Sequence, residues 1–263
     1  MFSFVPLTTV SCGSDDAVGR SGADGGPGGT GDGGMTVSGP STVDGGSAPL
    51  PPAAACKAGM SGSHWLDLDW LFETFEREHP LDRDTLLSSP VKLVIAATSV
   101  DTGAPVYLEP QHADILDALK GSCAIPILYR SVVRCGEHRL SDGGVAAPIP
   151  VEEAYRRGAR RLLVIRSRPA SFVKRPGVGT RLGSFALRGS PALAAAFRRA
   201  PATYAAAVSF LENPPEDCSV VQVAPAVKLR TGRVTRDLEA LAHDYGLGRE
   251  LGLRAIESWS KTP

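Results

Sequence analysis

The sequence predicts an α/β fold, and three features of the chain lead to this prediction. Large apolar side chains recur at helical spacing between residues 66 and 79, as in a helix with one apolar face. Residues 162–165 read Leu-Leu-Val-Ile, a continuous apolar run typical of a strand buried in a parallel sheet. Between residues 139 and 165 a strand, a turn, a helix and a second strand follow one another, and this order indicates an α/β protein.

Composition divides the chain into two parts. Of the 263 residues, 1–62 are rich in Gly, Ser and Pro and poor in large apolar side chains. Such a segment buries too little apolar surface to offset the entropy lost on ordering, so it is predicted to be disordered. Residues 63–263 form the predicted domain, and about 200 residues are enough for one sizeable core.

Charge and cysteine content limit the class of protein. Lys and Arg number 28, as do Asp and Glu, and a net charge of zero argues against a dedicated nucleic-acid binder. The five Cys residues show no metal-ligand spacing, so neither a disulfide framework nor a metal site is predicted, and no cofactor either. No apolar run reaches 18 residues, so a cytoplasmic protein is expected, with peripheral membrane contact as the alternative.

The first half of the domain is predicted element by element. A helix capped by Asp67 or Asp69 stops before Pro80, with the apolar face Leu68, Leu71, Phe72 and Phe75. A strand within residues 91–100 turns through 101–103 into a hairpin partner at 106–108. A second helix starts near Ile115 and ends at Gly121. Two short strands then flank Gly136, at residues 132–134 and 139–141.

The second half continues the alternation of helices and strands. Residues 151–158 form a predicted helix with a proline near its first turn, followed by the apolar strand at 162–165. Residues 177–183, which contain three glycines, are predicted to be a surface loop, because they lack the spacing of a phosphate-binding loop. The remaining elements are an Ala-rich helix at 191–211, a strand at 219–223 and helical segments within 235–259.

The motif Asp142-Gly143-Gly144 is the main candidate for chemistry. Ligand sites of open α/β sheets form beyond the carboxyl ends of strands, where this Asp is predicted to lie. A carboxylate held there by backbone amides stays ionised and can accept a proton from a hydroxyl. The other interpretation is an Asp that closes a turn through bonds to its own backbone.

A wider set of residues resembles the patatin-like phospholipase family, in particular its bacterial branch. The resemblance covers roughly residues 64–255 and is most specific between 121 and 169. Its landmarks are Leu66-Asp67-Leu68-Asp69-Trp70, Ser122-Cys123-Ala124-Ile125-Pro126, Tyr129, Asp142-Gly143-Gly144 and Pro148-Ile149-Pro150. The resemblance implies a mostly parallel sheet flanked by helices, incomplete here at its N-terminal side, and hydrolysis of lipid acyl esters.

The resemblance also implies a Ser-Asp catalytic dyad, of which only one half is found. Asp142 matches the family's base, followed by Gly143 and Gly144. The nucleophile, a Ser in a Gly-x-Ser-x-Gly turn, is not identified. Ser61 lacks the second glycine and a preceding strand, and the glycine runs at residues 25–34 follow no strand, so they are expected to be linker. The chain as written is therefore expected to be inactive, and a misplaced start or shifted frame before His64 would explain the missing parts.

Three other candidate sites have simpler interpretations. An arginine cluster at residues 156–161 is predicted to be a solvated helix end favoured by the helix dipole, with a lipid-headgroup patch as the alternative. His243 next to Asp244 is expected to be structural rather than the His of a triad with Asp142. The Asp67-x-Asp69 pair is assigned to capping rather than to metal binding.

The predicted function follows from the resemblance. The intact protein is expected to be a serine acyl hydrolase, a phospholipase or esterase of lipid metabolism, with a phospholipid or other lipid ester as substrate and Asp142 as base. Its expected partners are this substrate and a membrane surface, and not nucleic acid. The alternative is a non-catalytic remnant that binds a lipid or a protein partner.

Overall fold

The computed structural model describes residues 10–11, 66–111, 114–129, 131–232 and 235–261. The described residues all belong to one structural unit. The predicted disorder of residues 1–62 therefore lies outside the described residues, except for Val10 and Ser11. Within the described ranges, no helix is both long enough and apolar enough to cross a membrane.

The first sheet carries the Asp142 motif and has four strands. They are β2 (Ile95–Ser99), β3 (Pro105–Leu108), β4 (Val133–Cys135) and β5 (His138–Asp142), in the order β3-β2-β5-β4. All neighbours pair in antiparallel fashion. Gly136 makes the β4–β5 turn with a φ of 57°, a left-handed conformation that favours glycine. The predicted hairpins at residues 101–103 and at Gly136 are confirmed.

Three helices pack against the apolar core of this sheet. They are α1 (Leu68–Glu78), α2 (Arg83–Ser88) and α3 (Ile115–Cys123). Leu68 of α1, Ala118 of α3 and Leu140 of β5 are all nearly inaccessible and share one apolar core. Asp67 caps α1 by accepting a hydrogen bond from the Trp70 backbone N–H at 3.0 Å, which confirms one of the two predicted caps.

The second sheet lies around the apolar run that the sequence analysis identified. Its strands are β1 (Val10–Ser11), β6 (Arg161–Ile165) and β7 (Ser219–Val223), in the order β1-β6-β7. Pairing is antiparallel between β1 and β6, and parallel between β6 and β7. Helices α5 (Val151–Arg156), α7 (Pro191–Glu212) and α8 (Leu238–Lys261) follow the predicted pattern. Leu162 and Val164 of β6 pack on Tyr204 and Leu211 of α7, which forms a second apolar core.

Helix α7 connects the two cores. The short helix α4 (Gly143–Ala146) follows Asp142 and packs on α7. Val145 of α4, Leu193 and Ala196 of α7, and Val100 after β2 form a third apolar cluster. The Asp142 turn is therefore held between the first sheet and α7.

The mixed α/β class is confirmed, but the described strands are not mostly parallel. One of the five strand pairings is parallel. Tight turns require antiparallel pairing within the β2–β3 and β4–β5 units, whereas the parallel β6–β7 pair requires a crossover. Only β6 and β7 are joined by such a crossover, through residues 166–218.

Two local predictions were wrong. Residues 178–186 are not a surface loop but helix α6 (Val178–Ala186), which packs on α7 and buries Gly183. Tertiary packing offsets the low helix propensity of its glycines. Gly121 does not end α3, which continues to Cys123. A Cβ at Gly121 would lie 2.8 Å from the Cβ of Leu140, so glycine is needed there for close packing of α3 on β5.

Asp244 ties the loop before α8 to the helix. Its carboxylate accepts hydrogen bonds from the Thr231 backbone N–H at 2.8 Å and from the Thr231 hydroxyl at 2.7 Å. Its other oxygen lies 3.0 Å from Nδ1 of His243. Burial opposes ionisation, yet the hydrogen bonds from Thr231 and His243 hold the pKa of Asp244 well below its usual range.

We expect Gly121→Ala to destabilise the protein by about 1–2 kcal/mol, because overpacking against Leu140 exceeds the gain in helix propensity. Gly248→Ala in α8 is the matched control. A Cβ at Gly248 meets no atom within 4 Å, so this change should stabilise the protein by up to about 1 kcal/mol. Urea denaturation measures both, and equal stabilisation by the two variants would contradict the close α3–β5 contact.

The stabilisation contributed by Asp244 should depend on pH. Its pKa is lower in the folded state than in the unfolded chain, so the contribution is complete above the unfolded value of about 3.9 and is lost as the pH falls further towards the folded pKa. The stability difference between the wild type and Asp244→Asn should therefore be largest near neutral pH and shrink below about pH 4. Urea denaturation across this pH range checks it, with the exposed Glu257→Gln as control.

Candidate functional site

Asp142 lies at the end of β5 and starts the next element. It is the N-cap of α4, and its Oδ1 accepts a hydrogen bond from the Gly144 backbone N–H at 2.6 Å. The residue is 8% exposed, so the carboxylate is held at a nearly buried turn. The turn-closing interpretation is therefore correct for this side chain, and a carboxylate fixed in this way is also positioned to accept a proton.

Gly143 brings the Asp142 turn against the neighbouring strand. A Cβ at residue 143 would lie 2.2 Å from the carbonyl oxygen of Ala96 in β2, a distance that no side chain can occupy. This glycine is therefore required for the close approach of two backbone segments. The need for glycine comes from the long-range contact with β2 and not from a positive φ.

The hydroxyl of Thr98 fixes the turn from the other side. Thr98 is completely buried in β2, and its Oγ1 donates to the Asp142 carbonyl oxygen at 2.8 Å. The same Oγ1 accepts from the Ala146 backbone N–H at 3.1 Å. One hydroxyl thus joins the end of β5 to α4. Thr98 is not among the predicted site residues, and the signal that points to it is its place directly after the apolar run of residues 93–97.

The segment after α3 holds Asp142 in place through backbone hydrogen bonds. The Ala124 carbonyl oxygen accepts from the Asp142 backbone N–H at 2.9 Å and from the Ser141 hydroxyl at 3.1 Å.

Three residues after Ala124, Ile127 has a φ of 79°, which is strained for a β-branched residue. Backbone strain of this kind is concentrated at functional sites. No local sequence pattern indicates this conformation at Ile127.

Cys123 lies close enough to Asp142 to interact with its charge. Burial, together with the negative charge of Asp142, raises the pKa of the Cys123 thiol to about 11. The thiol is therefore protonated at neutral pH, and a protonated thiol is a weak nucleophile. Cys123 is therefore not a candidate nucleophile at neutral pH.

The hydroxyl groups around the turn are committed to backbone carbonyls. Ser122 Oγ donates to the Ala96 carbonyl oxygen at 2.7 Å, while Ser141 and Thr98 donate to the carbonyls of Ala124 and Asp142. None of these three hydroxyls is available to attack an ester. Ser61 and the glycine runs at 25–34 lie outside the described residues.

Asp69 and Asp67 have different partners, so they do not act as a pair. Asp69 forms an ion pair with Lys120 of α3, and the Tyr129 hydroxyl donates to its carboxylate at 3.2 Å. Asp67 caps α1. The Asp69 network therefore ties α1 to α3 and to the segment that contains Ile127. Among the residues that the structure describes, no group of three or more His, Cys, Asp or Glu could hold a metal ion.

The arginine cluster at residues 156–161 lies at the end of α5, and Arg156, Arg157 and Arg160 are exposed to solvent, as predicted, while they also form ion pairs. Glu153 accepts from Arg156 Nη2 at 2.7 Å and from Arg157 Nε at 2.6 Å. Arg160 pairs with Asp217 at 2.7 Å, and Arg161 donates to the Trp259 carbonyl at 3.0 Å. Glu153 is a local partner within α5, whereas Asp217 and the Trp259 carbonyl are distant in sequence and could not be expected from the local pattern.

We expect Thr98→Val to destabilise the protein by about 1–3 kcal/mol. The change keeps the volume of the side chain but leaves the Asp142 carbonyl and the Ala146 N–H without their shared partner. Thr203→Val on α7 is the control: this residue is partly exposed, its hydroxyl makes only an exposed hydrogen bond to the Arg199 carbonyl, and the change should alter the free energy of unfolding by less than about 0.5 kcal/mol. Equal effects of the two variants in urea denaturation would show that the hydroxyl does not hold the turn.

Comparison with known proteins relates two parts of the chain to other sequences. Residues 190–262, which include α7, β7 and α8, match a domain of unknown function, DUF6363. Over 200 residues, the chain is 33% identical to the uncharacterized protein YjjU of Escherichia coli (strain K12). This similarity covers 73% of the chain and 55% of the relative, so the chain spans about half the length of the relative that it matches. Neither description names a reaction, a ligand or a partner.

Proposed function

We propose that this chain carries the base of a patatin-like Ser-Asp dyad, and that the intact protein hydrolyses acyl esters of lipids. The position of Asp142 is the observation that carries the proposal. Its carboxylate is held at the end of β5 by the Gly144 N–H, in a turn that Gly143 brings against β2. A fixed carboxylate beyond a strand end, beside backbone amides, is the geometry that a general base requires.

The proposed mechanism assigns a separate role to each part of the site. Asp142 accepts the proton of the attacking serine hydroxyl, and Thr98 and Ala124 hold its backbone so that the carboxylate does not move during the transfer. The serine and the donors to the oxyanion come from outside the described residues, because the hydroxyls next to Asp142 are bonded to carbonyls.

The patatin-like arrangement of the fold is part of this proposal. It includes the assignment of residues 63–263 to one acyl hydrolase domain and a mostly parallel sheet in the intact protein. The parallel β6–β7 pair and its crossover through α6 and α7 support it. The extra length of the Escherichia coli relative is compatible with further strands in a longer chain.

A second candidate function is non-catalytic binding of a lipid or a protein partner. The observation that favours it is the capping role of Asp142, whose carboxylate already accepts the Gly144 N–H and is nearly buried. If the protein only binds, the Asp142 turn has a structural role. Binding should then survive Asp142→Asn, whereas hydrolysis by a catalytic protein should be lost in the same variant.

The nucleotide sequence before the His64 codon provides the first test. One of its three frames should encode a Gly-x-Ser-x-Gly turn preceded by a glycine-rich loop. When this segment is restored, the protein should hydrolyse p-nitrophenyl esters and be labelled by a fluorophosphonate probe. Asp142→Asn should then lower kcat by about 100-fold or more, because it removes the general base.

The matched control is Asp101→Asn, which changes an exposed Asp in the β2–β3 turn and should leave kcat unchanged. Hydrolysis that persists in the restored Asp142→Asn variant would contradict the role of Asp142. Fluorophosphonate labelling of the present chain, abolished by Asp142→Ala, would contradict the absence of a nucleophile. Absence of the motif from all three frames would favour the second candidate function.

A further inference from the structure

The charges of this neutral chain are distributed unevenly along the sequence. Residues 154–211 contain twelve Arg and Lys and not one Asp or Glu. The acidic residues therefore all lie outside this stretch, which runs from α5 through β6 and α6 to the end of α7. A net charge of zero conceals a strongly basic region.

Only part of this basic charge is compensated by contacts. Arg156, Arg157 and Arg160 pair with Glu153, Glu109 and Asp217, which lie outside the stretch. Five exposed arginines form no ion pair with any described residue: Arg175, Arg181, Arg188, Arg198 and Arg199. These five come before, within and after α6 and in the first half of α7.

Helix α6 places apolar side chains among these arginines. Val178, Leu182 and Phe185 are 73%, 63% and 66% exposed. Their spacing of four and three residues puts them on one side of the helix, while the buried Gly183 lies on the side that packs on α7. Arg181 lies next to this apolar stripe, and the Arg188 guanidinium lies 4.8 Å from the ring centre of Phe185.

We propose that α6 and the residues around it dock on an anionic membrane surface. The α6 surface consists of Arg175, Val178, Arg181, Leu182, Phe185 and Arg188. Exposed Leu and Phe on one side of a helix, with arginines beside them, are the features by which interfacial helices enter the headgroup region. The arginines attract anionic lipids, and the apolar stripe inserts at the boundary of the acyl chains.

The apolar stripe argues for a membrane rather than a nucleic acid. A nucleic acid binds basic side chains through its phosphates. Three exposed aliphatic and aromatic side chains on one side of a helix make no favourable contact with a phosphate backbone. Next to the stripe, a groove of about 370 Å³ between α6 and α7 is lined by Ser184, Arg188 and Arg198. The two guanidinium groups are suitable donors for a lipid phosphate, whereas the Ser184 hydroxyl already donates to the Arg181 carbonyl at 3.0 Å.

The α6 surface is connected to the Asp142 turn by packing. Leu187, the residue after α6, packs in the same apolar cluster as Val145 of α4 and Leu193 of α7. Docking through α6 would therefore hold this part of the fold at the lipid. The inference goes beyond the proposed function and does not depend on it, because vesicle binding requires no hydrolysis.

Sedimentation of the full 263-residue chain with vesicles tests the proposal. The chain should bind vesicles of phosphatidylcholine mixed with phosphatidylglycerol, and bind vesicles of phosphatidylcholine alone much more weakly. Raising the salt concentration should weaken binding. Arg175→Gln with Arg181→Gln should reduce the affinity about 25-fold, at about fivefold for each charge removed. Leu182→Ser with Phe185→Ser should reduce it about tenfold or more.

Matched controls come from surfaces of similar exposure. Leu253→Ser with Ile256→Ser on α8 removes two equally exposed apolar side chains, and Lys92→Gln removes an exposed charge outside the basic stretch. Both controls should bind like the wild type, and circular dichroism should show the same helix content in all variants. Equal binding to both kinds of vesicle, or equal effects of the α6 and α8 changes, would overturn the proposal. So would binding of DNA or RNA oligonucleotides without binding of anionic vesicles.

Discussion

The close approach of Gly143 to β2 is the constraint on which the candidate site depends. Because residue 143 has no Cβ, the turn can lie against the Ala96 carbonyl. That position brings the Asp142 carbonyl and the Ala146 N–H within reach of the Thr98 hydroxyl. It also places Val145 where it packs on α7. Any side chain at this position would move the turn and with it the carboxylate, the α4 helix and the contact that links the two cores.

Much of the secondary structure could be predicted from the sequence, because side chains close together in the chain determine where these helices, strands and turns form. The apolar stripe of α1, the bounds of β7 and the turn at Gly136 all follow from side chains close together in the sequence. Helix α6 could not be predicted in the same way, because Gly177, Gly179 and Gly183 indicate a loop until the packing on α7 is known. The mostly parallel sheet that the family resemblance implies is not seen among the described strands, where four of the five pairings are antiparallel. Tight turns at residues 101–103 and at Gly136 account for two of these four pairings.

The candidate site shows the same division between local and distant information. Asp142 and its two glycines are recognisable as a motif, and the structure places them at a strand end, as expected. Their supports are distant in sequence: Thr98 lies 44 residues before Asp142, and the Ala124 carbonyl belongs to the segment after α3. Nor could the strained backbone of Ile127 be expected from its sequence, since a β-branched residue normally avoids a positive φ.

The uneven distribution of charge has a consequence for how the molecule approaches other surfaces. Glu109, Glu153 and Asp217 neutralise the arginines near α5, whereas those around α6 keep their full charge. A protein of zero net charge with this arrangement has a permanent dipole moment, and an external field acts on it as a torque rather than as a pull. Near a charged surface the molecule therefore turns before it is attracted. Salt limits the reach of such a field to about 8 Å at physiological ionic strength, so reorientation is confined to the last step of an encounter.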